Sequence, residues 1–244
     1  MSTAQTIREA IAEVDRLRAE SRSVPAIGMA VERLKRLQSR RFAASHADLL
    51  ASAAFGAATR FFLEELYGAR DYSERDGQFA RIAGAVEKLF PKDVADTAIA
   101  LARLHVLTES LDHALARALP VNEQDEIRAY VLAWKSVGRR ADRDRQLQAV
   151  LDLGGELARL TRLPGLRMML RVMRKPAAAA GLTALQRFLE EGFDTFAAMN
   201  RQPQGAERFL ATVAERERQL IQVLSEADAV ACETALRATL GQAL

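Results

Sequence analysis

Cysteine is nearly missing from this 244-residue chain. Cys232 stands alone, which excludes an internal disulfide framework and any zinc site built from several thiolates. Histidine occurs three times, at His46, His105 and His113, and no Gly-x-Ser-x-Gly turn is present, so no nucleophile–base–acid constellation can be assembled. Glycine pairs are scarce, and Gly154-Gly155 is not followed by Gly-Lys-Ser/Thr, which excludes nucleotide hydrolysis on a phosphate loop. Long apolar runs are lacking as well, and the mean hydropathy is -0.10. No catalytic residue is assigned on these grounds, and enzyme and binding protein both stay open.

An excess of one charge is also lacking. The 35 basic residues face 32 acidic ones for a formal +3, and a partner of duplex nucleic acid would call for a clearer basic surplus. All the basic residues except Lys35, Lys88, Lys92, Lys135 and Lys175 are arginine, the better bidentate partner for carboxylate and phosphate. Residues 1–22 carry charge at helical spacing, unlike an export signal. With the lone cysteine, this makes a reducing cytoplasm the expected setting.

What the chain does have is Ala, Leu, Arg, Glu and Gln in helical periodicity, with no stretch alternating β-branched and polar residues for the length of a strand. The reading is all-α: a single-domain antiparallel bundle of about nine to ten helices over residues 1–244, with 1–22 as a possible N-terminal helical extension. Candidate helices are 3–20, 26–50, 53–67, 74–89, 92–119, 123–137, 142–161, 165–174, 182–199 and 206–240, the last broken near Ala227. Pro25, Pro91, Pro120, Pro164, Pro176 and Pro203 all fall between these segments, where they start or stop helices.

The most distinctive stretch reads RFFLEELYGARDYSERDGQFAR over residues 60–81. Ser73 and Asp76 have the spacing of a capping pair, a structural reading of the corner. The functional reading is that Asp71, Arg75 and Asp76, beside Tyr67 and Tyr72, form a rigid charged surface for a protein partner. On that reading Arg75→Ala leaves the fold intact and weakens capture. A second constellation lies on the 92–119 helix, where His105, Glu109 and Asp112 are neighbours one turn apart beside an apolar stripe. Imidazole and carboxylates suit a transition metal, whereas the paired Glu-x-x-His of di-iron bundles is absent and three groups from one helix cannot enclose an ion. A structural hydrogen bond is the plainer role for His105.

Residues 41–119 resemble an uncharacterised family of bacterial all-helical proteins. The family is marked by FFLxxLYGxxD[FY]xxRD, matched here by Phe61, Phe62, Leu63, Leu66, Tyr67, Gly68, Asp71, Tyr72, Arg75 and Asp76. It is marked also by LHxL[ST]ExLD, matched by Leu104, His105, Leu107, Thr108, Glu109, Leu111 and Asp112. No activity is established for that family, so the resemblance implies a helical fold and singles out residues without implying a chemistry.

Two further segments carry weight. Gly192 lies on the helical face of Leu185, Phe188 and Phe196, and an interior glycine costs about 1 kcal/mol relative to alanine, so something must come close there. The occupant is either another helix or a flat apolar ligand between Phe188 and Phe196. The basic stretch 159–175 alternates arginines with Leu166, Met169, Leu170 and Met173, and reads as an amphipathic helix with its apolar face in the core.

The expectation is a non-enzymatic protein that binds a protein partner through the 67–76 corner. A second copy of the chain is an alternative partner, and nucleic acid or an anionic membrane surface ranks lower. The competing reading is an internal ligand pocket formed by His105, Glu109, Asp112, Phe188, Gly192 and Phe196. No cofactor is expected, with haem or a transition metal as the alternative there.

Overall fold

The computed structural model describes residues 1–65, 68, 70–120, 122–202 and 205–241. These form thirteen helices and no strand. They are α1 (Thr3–Ser23), α2 (Pro25–Ser45), α3 (Ala47–Ala51), α4 (Gly56–Glu65), α5 (Ser73–Leu89), α6 (Lys92–Ala118), α7 (Glu126–Val137), α8 (Arg140–Leu160), α9 (Leu166–Val172), α10 (Arg174–Ala179), α11 (Thr183–Met199), α12 (Gly205–Glu226) and α13 (Ala229–Gly241). The count exceeds nine to ten because the expected 26–50 helix breaks at His46 and an extra turn, α10, forms around Pro176. The break near Ala227 is present.

Local chemistry explains the ends. The Ser2 side chain accepts from the Gln5 amide at the start of α1, and Pro25 opens α2 where a missing N–H costs nothing. Asp125 accepts from the amides of Ile127 and Arg128 at 3.0 and 3.2 Å to cap α7, which Gly138 closes in the left-handed conformation. His46 sits at a helix end, yet it is wholly buried and stacked 4.2 Å from the Phe42 ring. That burial lowers its pKa.

The 27-residue α6 is the axis, packed by α1, α2, α7 and α8. The N-terminal helix packs into the bundle, with Ile7, Ile11 and Val14 buried as α1 lies along α5 and α6. Apolar burial divides into three clusters. One gathers Leu34, Leu37, Trp134, Leu224 and Leu236 from α2, α7, α12 and α13. A second is aromatic, with Phe42, Phe61, Phe62, Phe196 and Phe209, and the third joins Ile7, Ile11, Phe79 and Ala102. Gly192 serves the second cluster, since a Cβ there would meet the Phe61 ring at 3.1 Å; the neighbour that needs its space is another helix.

Phe196 is fully buried, with its ring 6.3 Å from Phe62. Phe196→Ala should therefore lose about 3–5 kcal/mol of stability, read as a lowered midpoint in urea unfolding with an unchanged slope.

Candidate functional site

One face of α6 carries polar side chains at successive turns, and they are met from α1, α2, α5 and α8. His105 Nε2 lies 2.7 Å from Asp76 Oδ2 on α5. Glu109 accepts from Lys35 Nζ of α2 at 2.8 Å and from Arg18 Nη2 of α1 at 3.4 Å. Gln38 of α2 donates to Asp112 Oδ1 at 3.1 Å, and Gln146 of α8 donates to Thr108 Oγ1 at 2.8 Å. The helical spacing of one sequence segment thus fastens four partner helices at a single level of the bundle.

Asp76 is the node of this array. Arg18 Nη1 donates to its Oδ2 at 2.8 Å, and Arg75 Nε stands 3.7 Å from Oδ1. Since Arg18 is a cationic donor to the same oxygen, the His105 proton belongs on Nε2, pointing at the carboxylate. The 3.4 Å approach of Arg18 Nη2 to that nitrogen is then a contact without a hydrogen bond. Burial by itself would raise the Asp76 pKa, but the His105 hydrogen bond and the charges of His105, Arg18 and Arg75 hold it below the ordinary value. Glu109 follows the same logic, burial being outweighed by Lys35, Arg18 and His105. Asp112 has the opposite balance: burial dominates and pushes its pKa up against the nearby charges of Arg143 and Lys35.

These side chains border an interior cavity of about 130 Å³. Its wall takes Tyr72, Arg75 and Asp76 from the corner, His105, Glu109 and Asp112 from α6, and Phe188 from α11. The corner and the α6 constellation, separate expectations in the sequence, share one site. Gly192 and Phe196 do not line it; they belong to the aromatic cluster. Tyr67 lies outside the described residues.

The corner itself differs from an exposed charged surface. Arg75 pairs with Glu65 at 2.7 Å, and its guanidinium is sandwiched between the Tyr72 ring at 4.3 Å and the Phe188 ring at 4.6 Å. The Tyr72 hydroxyl donates to the Glu64 carbonyl, and burial next to Glu65 pushes its pKa up to about 12. Ser73 and Asp76 form no capping pair, because Asp76 turns into the core. Asp71 takes the role, accepting from the Ser73 amide at 2.9 Å and from the Ser73 hydroxyl, which lower its pKa. Asp71 alone among the described corner candidates is exposed.

The wall also takes Lys35 and Arg41 of the basic stretch 33–41, and Glu65, Tyr130, Arg143 and Glu217, which the sequence did not single out. They come from five helices distant in sequence, and a charge one turn from apolar neighbours reads locally as a solvated face. Lys35 pairs with Glu109, Arg75 with Glu65, and Arg41 with Glu217. Arg143 and Asp112 make no ion pair among the described residues. Among those residues no group of three His, Cys, Asp or Glu side chains is arranged to hold a metal ion. Arg18 supplies the cation between Asp76 and Glu109.

The basic stretch on α9 buries none of its residues, and Met168 and Val172 are more than 60% exposed where an apolar face in the core was expected. It packs on α11 and α10, whereas the basic stretch 33–41 on α2 packs on α1, α6 and α13. No helix among the described residues is long and apolar enough to cross a membrane.

The chain belongs to the family described as a domain of unknown function (DUF8198), matched over residues 17–231. No curated protein and no solved structure matches it.

Two outcomes follow from the pairing. Arg75→Ala leaves Glu65 buried without its cation and should lower stability by roughly 3 kcal/mol, seen as a drop in melting temperature, in place of the intact fold expected of a surface charge. The carboxylates of Asp76 and Glu109 have lowered pKa values in the folded protein. Their stabilisation is complete above the unfolded values near 3.8 and 4.5 and is lost as pH falls through the folded ones. Asp76→Asn should therefore melt lower than the natural chain at neutral pH, and its melting temperature should fall less between about pH 5 and about pH 3.

Proposed function

We propose that this member of the family is a small-molecule binding protein whose ligand occupies the interior cavity bordered by α1, α2, α4, α5, α6, α7, α8, α11 and α12. The observation that carries the reading is the combination of a partly open interior space with an uneven wall. Most wall charges are matched within the protein, but Arg143 and Asp112 are left facing one another's field without an ion pair. A solvated crevice needs no such arrangement of buried charge, and a purely structural core reaches the same stability with apolar residues. A space of about 130 Å³ is close to the roughly 150 Å³ that accommodates benzene in a protein core.

The partner-binding reading of the corner is absorbed into this one. Tyr72, Arg75 and Asp76 are wall residues, so a ligand that touches them acts on the corner's geometry, and Asp71 remains the exposed end. A cytoplasmic setting accords with Cys232, a buried thiol.

The cavity predicts a measurable occupant. The only tryptophan, Trp134, lines it, so its emission reports filling directly. Native mass spectrometry of freshly purified protein should show a non-covalent adduct that is lost on unfolding, or 1-butanol should shift Trp134 emission and raise the melting temperature in a saturable way. Neither an adduct nor a saturable response would leave a cavity that holds only water and would end the reading.

A further inference from the structure

The wall of the cavity is not chemically uniform, and the asymmetry lies at Arg143. This side chain is more than nine-tenths buried, with 8% exposure. Its Nη1 donates to Gln146 Oε1 at 3.1 Å, and one face of its guanidinium rests 4.9 Å from the centroid of the Trp134 ring. Among the described residues its Nη2 has no hydrogen-bond partner, and it is shut off from solvent. A buried charged donor without an acceptor is an expense that natural folds avoid unless something else supplies the acceptor. Every other cation on the wall has a carboxylate: Lys35 has Glu109, Arg41 has Glu217 and Arg75 has Glu65.

We propose that the ligand is a small organic acid whose carboxylate is received by Arg143, with its hydrocarbon body against Leu147, Leu220 and Ile221. This rests on the cavity-binding reading above. A guanidinium presents parallel donors matched to a planar carboxylate, and here Nη2 of a wall residue is the donor left without an acceptor among the described residues. The face covered by Trp134 fixes the plane of the guanidinium, so little freedom remains to be lost on binding. Leu147 and Ile221 belong to the buried apolar cluster, and Leu220 packs against it, which suits an alkyl or aryl body.

Asp112 is the neighbour that argues against an anion on first inspection. It is fully enclosed, Gln38 holds one of its oxygens, and burial favours its neutral form. In that form it brings a hydroxyl donor to the site and no repelling charge. An amine, by contrast, would enter the fields of Arg143 and Lys35, which repel it.

The test uses the full chain and Trp134 fluorescence at constant ionic strength, titrated with four probes: butyrate, butylamine, 1-butanol and inorganic phosphate. Butyrate should bind about tenfold or more tightly than 1-butanol and butylamine, the scale of one charge-assisted hydrogen bond. Arg143→Gln should abolish that preference, and Arg143→Lys should retain part of it. The probe order in the natural chain decides the matter even if both variants fail to fold. Butylamine or 1-butanol binding as tightly as butyrate would overturn the acid and leave the cavity reading standing. Phosphate outcompeting butyrate would replace the carboxylate with a phosphate. A response to none of the probes would overturn both the acid and the cavity reading.

Discussion

A carboxylate with almost no access to water has to be surrounded by donors, and Asp76 meets that requirement by drawing three helices together. Arg18 comes from α1, His105 from α6, and Arg75 from the same helix as Asp76 itself. An ionised group transferred from water to a protein interior loses several kcal/mol of solvation even after relaxation, so each donor is a condition for the others being buried. Once Asp76 is turned inward, Arg75 follows it and settles between Tyr72 and Phe188, and the corner at 71–76 acquires its shape. Asp71 is then free to take over the cap of α5.

The same condition recurs along α6. Glu109 is bracketed by Lys35 and Arg18, and Arg41 meets Glu217 across from α12. Long charged side chains that must reach one another across a bundle leave space between the helices that bear them. The cavity is that space, with apolar patches where the first and third clusters border it. Its polarity is a consequence of how the helices are fastened, and Arg143 is the wall cation left without an ion pair among the described residues.

The resemblance to an uncharacterised family and the family match over residues 17–231 agree in placing the chain in a family of unknown function. They supply no chemistry, so any functional conclusion has to come from the wall of the cavity. Arg143 was not singled out from the sequence because an arginine in Arg140–Leu160, a helix with charges at several positions, has nothing local to distinguish it from its solvated neighbours. Its meaning depends on Trp134 above it and on the absence of an acceptor at Nη2, both of which are properties of packing.

Helical periodicity, the placement of the prolines and the want of any strand pattern determined an all-α chain, and the one-turn spacing of His105, Glu109 and Asp112 determined that they share a face. Those are local properties, set by residues within a few positions of one another. The sequence also marked Gly192 as a place of close approach, because a missing side chain inside a helix has a local cost that must be offset. Which helix fills that place, whether Asp76 caps its own helix or enters the core, and whether Arg75 faces water or a phenyl ring were decided only by the tertiary structure. The physical reason is that a charge has no fixed preference between surface and interior until its counter-charge is placed, and Arg18 and His105, like Lys35 and Glu109, come from segments far apart in the chain.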